Sequence, residues 1–133
     1  MTPHRFPIRV YYEDTDFTGN VYHAAYLHFM ERARTEFLRG EGIHHSELIA
    51  QGLAFAVRSL NIEFEAAAHI DDELTVETRV LGVTGARLTL EQTVIRADKV
   101  LARAVLVIAT IRTDGRPARM PQAIRARFGR PRA

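Results

Sequence analysis

The chain is 133 residues long, 47% apolar, with a formal net charge of +2, which fits one domain (1–133) with a single core. It contains no cysteine, which excludes disulfides, thiolate catalysis and cysteine-based zinc sites. Its only serines, Ser46 and Ser59, lie outside any G-x-S-x-G elbow, so a hydrolytic activity would have to rest on a carboxylate or a metal.

No run reaches about 18 consecutive apolar residues, so no membrane span is expected. The opening MTPHRFPIRV lacks the apolar segment of a secretory signal, and the expected location is the cytoplasm. Charge is unevenly placed. Residues 112–133 carry seven arginines and one acid, Asp114, whereas the remainder carries eleven basic and fifteen acidic residues. Such an arginine-rich segment is either a solvated tail or a phosphate-binding one. Phe128 is its only aromatic residue, which argues against nucleic acid.

In chain order, residues 6–13 alternate Ile8, Val10, Tyr12 against Arg9, Tyr11, Glu13, predicting a half-buried strand. Residues 14–20 form a turn with Gly19. Residues 21–39 carry apolar side chains at helical spacing: Tyr22, Ala25, Tyr26, Phe29, Ala33 and Phe37. Leu27, Met30 and Leu38 widen that face, so the helix should be largely enclosed. Gly40 and Gly42 stop it. A short second helix over 44–51 ends at Gly52. Strands follow over 54–64, 73–81, 86–95 and 100–112. The second places Leu74, Val76, Thr78 and Val80 on one face; the third does so with Leu88, Leu90, Gln92 and Val94. Turn residues close the last strand at Thr113 to Pro117. One strand, one long helix and four further antiparallel strands make an α+β fold. A curved sheet would wrap around the helix, and a second copy would extend the sheet or cover its open side.

The informative stretch is YYEDTDFTGNVYHAAY. It sets two carboxylates, Asp14 and Asp16, on a turn that leads straight into the helix. Aspartate before a helix is commonly a cap; Asp14 can be that cap and leave Asp16 free for chemistry. The backbone N–H groups of Tyr22 and His23 at the helix start are orphan donors, suited to a carbonyl oxygen that becomes an oxyanion. Gly19 would let backbone or ligand approach closely. His23 is either a satisfied histidine or a polar contact to substrate or water. His28 and Glu31 read as surface residues rather than a metal pair, and no H-E-x-x-H spacing occurs. Asp14-Thr15-Asp16-Phe17-Thr18 also fits the D-x-D-x-T pattern of haloacid-dehalogenase-type phosphatases, with Asp71-Asp72 as a later acidic pair. That reading needs a parallel sheet and a lysine between the motifs, and the chain supplies neither.

These residues resemble the YbgC/4-hydroxybenzoyl-CoA thioesterase branch of the hotdog-fold superfamily. The resemblance rests on Tyr12-Glu13-Asp14-Thr15-Asp16-x-x-Gly19-x-Val21-Tyr22-His23-x-x-Tyr26, on Glu31-Arg32-Ala33-Arg34-Thr35-Glu36, on Val57-Arg58-Ser59 and on Asp71-Asp72-x-Leu74-x-Val76. It implies a hotdog fold and hydrolysis of acyl-CoA thioesters without metal or cofactor. Asp16 matches the family's general base or nucleophile, with Tyr12 and His23 beside it. Gly19, Tyr22, Tyr26, Arg58, Ser59 and Arg87 are the candidate substrate contacts, and Arg58, Arg87 and the terminal arginines the candidates for CoA phosphates. The resemblance further implies a homodimer or homotetramer with sites where subunits meet, and acyl-carrier protein as an alternative thioester carrier. The other class of function compatible with these residues is a hotdog protein that binds acyl-CoA or acyl-carrier protein without turnover. The chain departs from the family at Thr18, where a small residue is usual, at Asn20, where an apolar residue or glycine is usual, and at Ala66-Ala67-Ala68, where a proline-alanine pair is common.

Overall fold

In the computed structural model, residues 2–129 are described. Strand β1 (His4–Arg9) is followed by a single 3₁₀ turn (Tyr12–Asp14) and the long helix α1 (His23–Gly40). Then come α2 (His45–Ala50), β2 (Leu53–Phe64), β3 (Glu73–Val83), β4 (Arg87–Arg96), β5 (Lys99–Arg112) and α3 (Gln122–Phe128). The five strands form one antiparallel sheet in the order β1-β3-β4-β5-β2. This is the α+β, curved-sheet hotdog architecture expected from the sequence. α1 packs on β1, β3 and β4.

Strand β1 is shorter than predicted. Val10 donates its N–H to Asp72 O and accepts from the Asp71 N–H, so the chain pairs there with the loop after β2 and then turns. Tyr12, expected on the buried face with Ile8 and Val10, is 80% exposed. The buried faces of β3 and β4 are as read: Leu74, Val76, Thr78, Val80 and Leu88, Leu90, Gln92, Val94.

α1 ends in a Schellman motif. Gly42, at φ +80°, occupies the left-handed position; its N–H reaches Arg39 O, and the Ile43 N–H reaches Leu38 O. Ile43 and Leu38 are both buried in one core cluster, which completes the motif. Its N-terminus is different: the N-cap residue Tyr22 makes no side-chain cap bond.

Two apolar clusters surround α1. Tyr26, Phe29, Met30 and Ala33 pack with Ile8, Val10, Leu74, Val76 and Val94. Phe37 and Leu38 pack with Val80, Leu88, Leu90, Leu106 and Ile108. At the seam lies a polar network. Arg34, only 9% exposed, donates to Gln92 Oε1 at 2.9 Å, and Gln92 Nε2 donates to Met30 O at 2.9 Å and Thr78 Oγ1 at 3.0 Å. Burial pushes the Arg34 guanidinium below its ordinary range. The helix is therefore less enclosed and less apolar than its spacing predicts: Tyr22 and Leu27 are exposed, while Arg34 is buried.

The arginine-rich segment is not simply a solvated tail. Met120, Ile124 and Phe128 enter the second cluster, and Phe128 stacks against Phe37. Arg127 pairs with Glu41, and Arg125 Nε donates to Met120 O. Arg130 and Arg132 lie outside the described residues. No helix among the described residues is long and apolar enough to cross a membrane.

Candidate active site

The acidic turn is built from its own backbone. The Asp16 N–H donates to Asn20 O at 2.9 Å, and the Gly19 N–H donates to Asp16 O at 3.1 Å. Thr15 and Val21 bridge its base. Gly19 sits at φ +84°, a conformation that strains any residue with a Cβ. A Cβ there would meet open space, so the glycine serves the turn's conformation rather than a close approach.

Asp14 and Asp16 take different roles. Asp14 Oδ2 accepts the Tyr11 N–H at 2.9 Å, capping the 3₁₀ turn. Asp16 Oδ1 accepts the Thr18 N–H at 2.8 Å and the Thr18 hydroxyl. Oδ2 of Asp16 has no hydrogen-bond partner among the described residues. The Thr18 hydroxyl, and then its N–H, hold the Asp16 carboxyl below its ordinary range. Asp16 is thus an exposed, ionised carboxylate with one oxygen tethered and one open.

The turn is fastened to the start of α1. The Tyr22 N–H donates to Asp14 O at 2.9 Å, so Tyr22 is not the orphan donor that the sequence suggests. The N–H groups of His23 and Ala24 have no acceptor among the described residues, and they head an 18-residue helix. Uncapped N–H groups and the helix dipole favour negative charge at this point. The His23 ring lies on Tyr22, with centroids 4.5 Å apart, and edge-on to Phe64 at 6.5 Å.

A second segment, between β2 and β3, closes on the turn. The Val21 N–H donates to Ala68 O at 2.8 Å and the Ile70 N–H to Gly19 O at 3.0 Å. Asn20 and His69 form a bridge, and His69 Nδ1 lies 2.7 Å from Asn20 Oδ1. The segment is itself held. The His69 N–H and Arg96 Nη1 both donate to Asp72 Oδ2 at 2.8 Å, and Arg96 Nη1 also donates to Ala67 O. Burial pushes the Asp72 carboxyl up, but the His69 N–H and Arg96 outweigh it and hold it below its ordinary value.

Of the residues singled out from the sequence, the single chain brings Asp14, Asp16, Gly19, Tyr22 and His23 together. Tyr12 stands on the neighbouring 3₁₀ turn. Tyr26 is not an open substrate contact: it is 3% exposed, and its hydroxyl accepts the Ala68 N–H at 3.1 Å. Burial pushes its phenol up, so it is a neutral strut beneath the site. Arg58, Ser59 and Arg87 lie elsewhere. Ser59 is five residues along β2 from Phe64, about 16 Å at the usual rise. A β-bulge between Val57 and Ser59 leaves Arg58 without a partner in the register. Arg87, opposite Ala109, opens β4. The segment from Ala66 to Asp72 escaped sequence reasoning as part of the site. Its signals were the Asp71-Asp72 pair and the Ala66-Ala67-Ala68 run, about 50 residues from the turn that the segment grips.

The tether on Asp16 has a measurable consequence. Thr18→Val removes the hydroxyl that contributes most to the lowered carboxyl value. The acid limb of the kcat/KM profile should then move to higher pH, because Asp16 would protonate more readily as pH falls. A limb unchanged in position would show that Asp16 does not govern it.

An antiparallel sheet curved around one long helix is the hotdog architecture. Comparison with known proteins agrees. A model of the thioesterase-like superfamily matches residues 10–128, and the chain belongs to that superfamily. It is 46% identical over 125 residues to the acyl-CoA thioesterase YbgC of Haemophilus influenzae, covering 92% of each chain. It is 40% identical over 126 residues to the acyl-CoA thioester hydrolase YbgC of Escherichia coli O6:H1, covering 93% of this chain and 94% of that one. Among solved structures, a probable thioesterase from Bartonella henselae superposes with a TM-score of 0.86 at 44% identity, over 90% of this chain and 99% of that one.

Proposed function

We propose that the protein hydrolyses acyl-CoA thioesters to the free acid and CoA, with Asp16 as the reacting carboxylate. The observation that carries this reading is the open Oδ2 of Asp16 on a turn fastened to the uncapped start of α1. The thioester carbonyl oxygen would sit against the N–H groups of His23 and Ala24. Asp16 would take a proton from water as the hydroxide adds to the carbonyl carbon, or add to that carbon itself. The C–S bond then breaks and the CoA thiolate takes up a proton, on the first route the one held by Asp16. On the second route the acyl–aspartyl anhydride left behind is hydrolysed by water, which releases the free acid and restores Asp16. A thioester carbonyl is electrophilic and thiolate leaves readily, so an ionised carboxylate and two preorganised donors suffice. Donors of this kind are worth roughly 3–4 kcal/mol each in comparable sites.

Thiol release from a panel of acyl-CoA substrates, run beside the matching acyl-carrier-protein thioesters, tests the reading. Binding without thiol release from any of them would reject it in favour of a carrier-binding protein.

The reading includes a homo-oligomer. β2 is 12 residues long and pairs only with β5, leaving its other edge open. Aromatic side chains fringe the site without cover: Tyr11, Tyr12, Tyr22, Phe64 and, 99% exposed, Phe17. A second copy along β2 would complete the sheet and bring Arg58 and Ser59 to the interface. Light scattering at micromolar concentration is expected to give at least twice the 15.1 kDa chain mass. A stable monomer would reject this part of the reading.

A further inference from the structure

We infer that His69 is a positioning residue for the acidic turn, acting through the side chain of Asn20. The inference rests on the assignment of chemistry to Asp16 and extends it to a residue that never touches substrate. With Asn20 Oδ1 facing it at 2.7 Å, His69 Nδ1 carries the hydrogen and donates it. Asn20 O in turn accepts the Asp16 N–H at 2.9 Å. The imidazole is therefore one residue's width from the backbone that aims the carboxylate. Its own backbone is fixed through Asp72 to Arg96 on β4. Hydrogen bonds, linked covalently within His69 and within Asn20, thus join the sheet to the turn in the order Arg96, Asp72, His69, Asn20, Asp16.

The pair depends on both side chains, since the amide oxygen of Asn20 is the acceptor that faces His69 Nδ1. The backbone bonds from Val21 to Ala68 and from Ile70 to Gly19 do not depend on the imidazole. Removing it should leave the loop attached but let the Asp16–Asn20 backbone sample more than one arrangement. Small misplacements of a reacting group are costly; about 1 Å can cost on the order of 100-fold.

Three variants and one double variant test the pair in the full-length protein. His69→Ala should lower kcat about 10-fold with KM within about twofold, a partial form of that misplacement loss. By NMR, amide exchange at Asp16 should rise about 10-fold in parallel, since local opening controls it. His69→Gln, whose amide can still donate to Asn20, should restore both. Asn20→Ala should match His69→Ala, and the double variant should be no worse than either single one, as for partners in one interaction. Wild-type exchange and kcat in His69→Ala, or effects that multiply in the double variant, would overturn the inference. The amide readout stands apart from turnover. If Asp16→Asn keeps its activity while the exchange pattern appears as described, the catalytic assignment fails and the positioning pair stands.

Discussion

Asp16→Asn is expected to lower kcat at least about 100-fold, the scale for losing a positioned base. Asparagine nearly preserves size and can still accept from Thr18 through its oxygen, so the turn and the fold should persist. What disappears is the negative charge on the open oxygen. Asp14→Asn makes the control: its oxygen can keep the Tyr11 N–H, so turnover should change far less. His23→Ala should fall between the two, because the backbone N–H at the head of α1 survives while the ring beside Phe64 is lost. One good acyl-CoA substrate and three kcat values decide the matter. Near-wild-type turnover in Asp16→Asn with a collapse in Asp14→Asn would invert the assignment within the acidic pair.

Gln92→Ala should give the largest loss of stability from a single polar change, about 3 kcal/mol or more, because it strands a buried guanidinium. Gln92 is the only hydrogen-bond partner of Arg34 among the described residues, and it also satisfies Met30 O and Thr78. The thermal midpoint should fall by about 10 °C in a domain of this size. Replacing both partners by apolar residues, Arg34→Met with Gln92→Leu, should recover most of the loss, since no charge is left buried without a partner. A midpoint in Gln92→Ala within about 2 °C of wild type would mean that Arg34 reaches water or another acceptor at small cost.

The parts of the fold set by side-chain period were legible in the residues. The alternation in β3 and β4 is strict because one face of each strand meets α1, and each inward position named from the pattern is buried. The same logic failed where a residue's neighbours are remote in sequence. Arg34 sits at a helical position that charge alone assigns to solvent, and only Gln92, 58 residues away, explains its burial. Tyr12 broke the alternation of β1 because residues 71 and 72 capture Val10. In the arginine-rich segment, charge masked three apolar side chains that close the base of the core. For the site, the motif located the carboxylates and the helix start. It could not show that Tyr22 spends its N–H on Asp14 O, which the turn's own backbone sets, or that the Tyr26 hydroxyl is taken by the Ala68 N–H, which depends on a loop folded across the turn.

The two borders of the sheet are not alike. β1 is six residues long, carries Pro7, which offers no N–H, and bears Arg5 and Arg9, ion-paired to Glu77 and Glu73. Such a margin discourages further strands from adding. β2 has twice that length and no proline. Growth by strand addition is therefore possible on one side alone, and a pair of copies joined there would present only blunt margins. A sheet of this kind would terminate after a single joining event, and a concentrated solution of the protein would then be expected to resist edge-to-edge fibre growth.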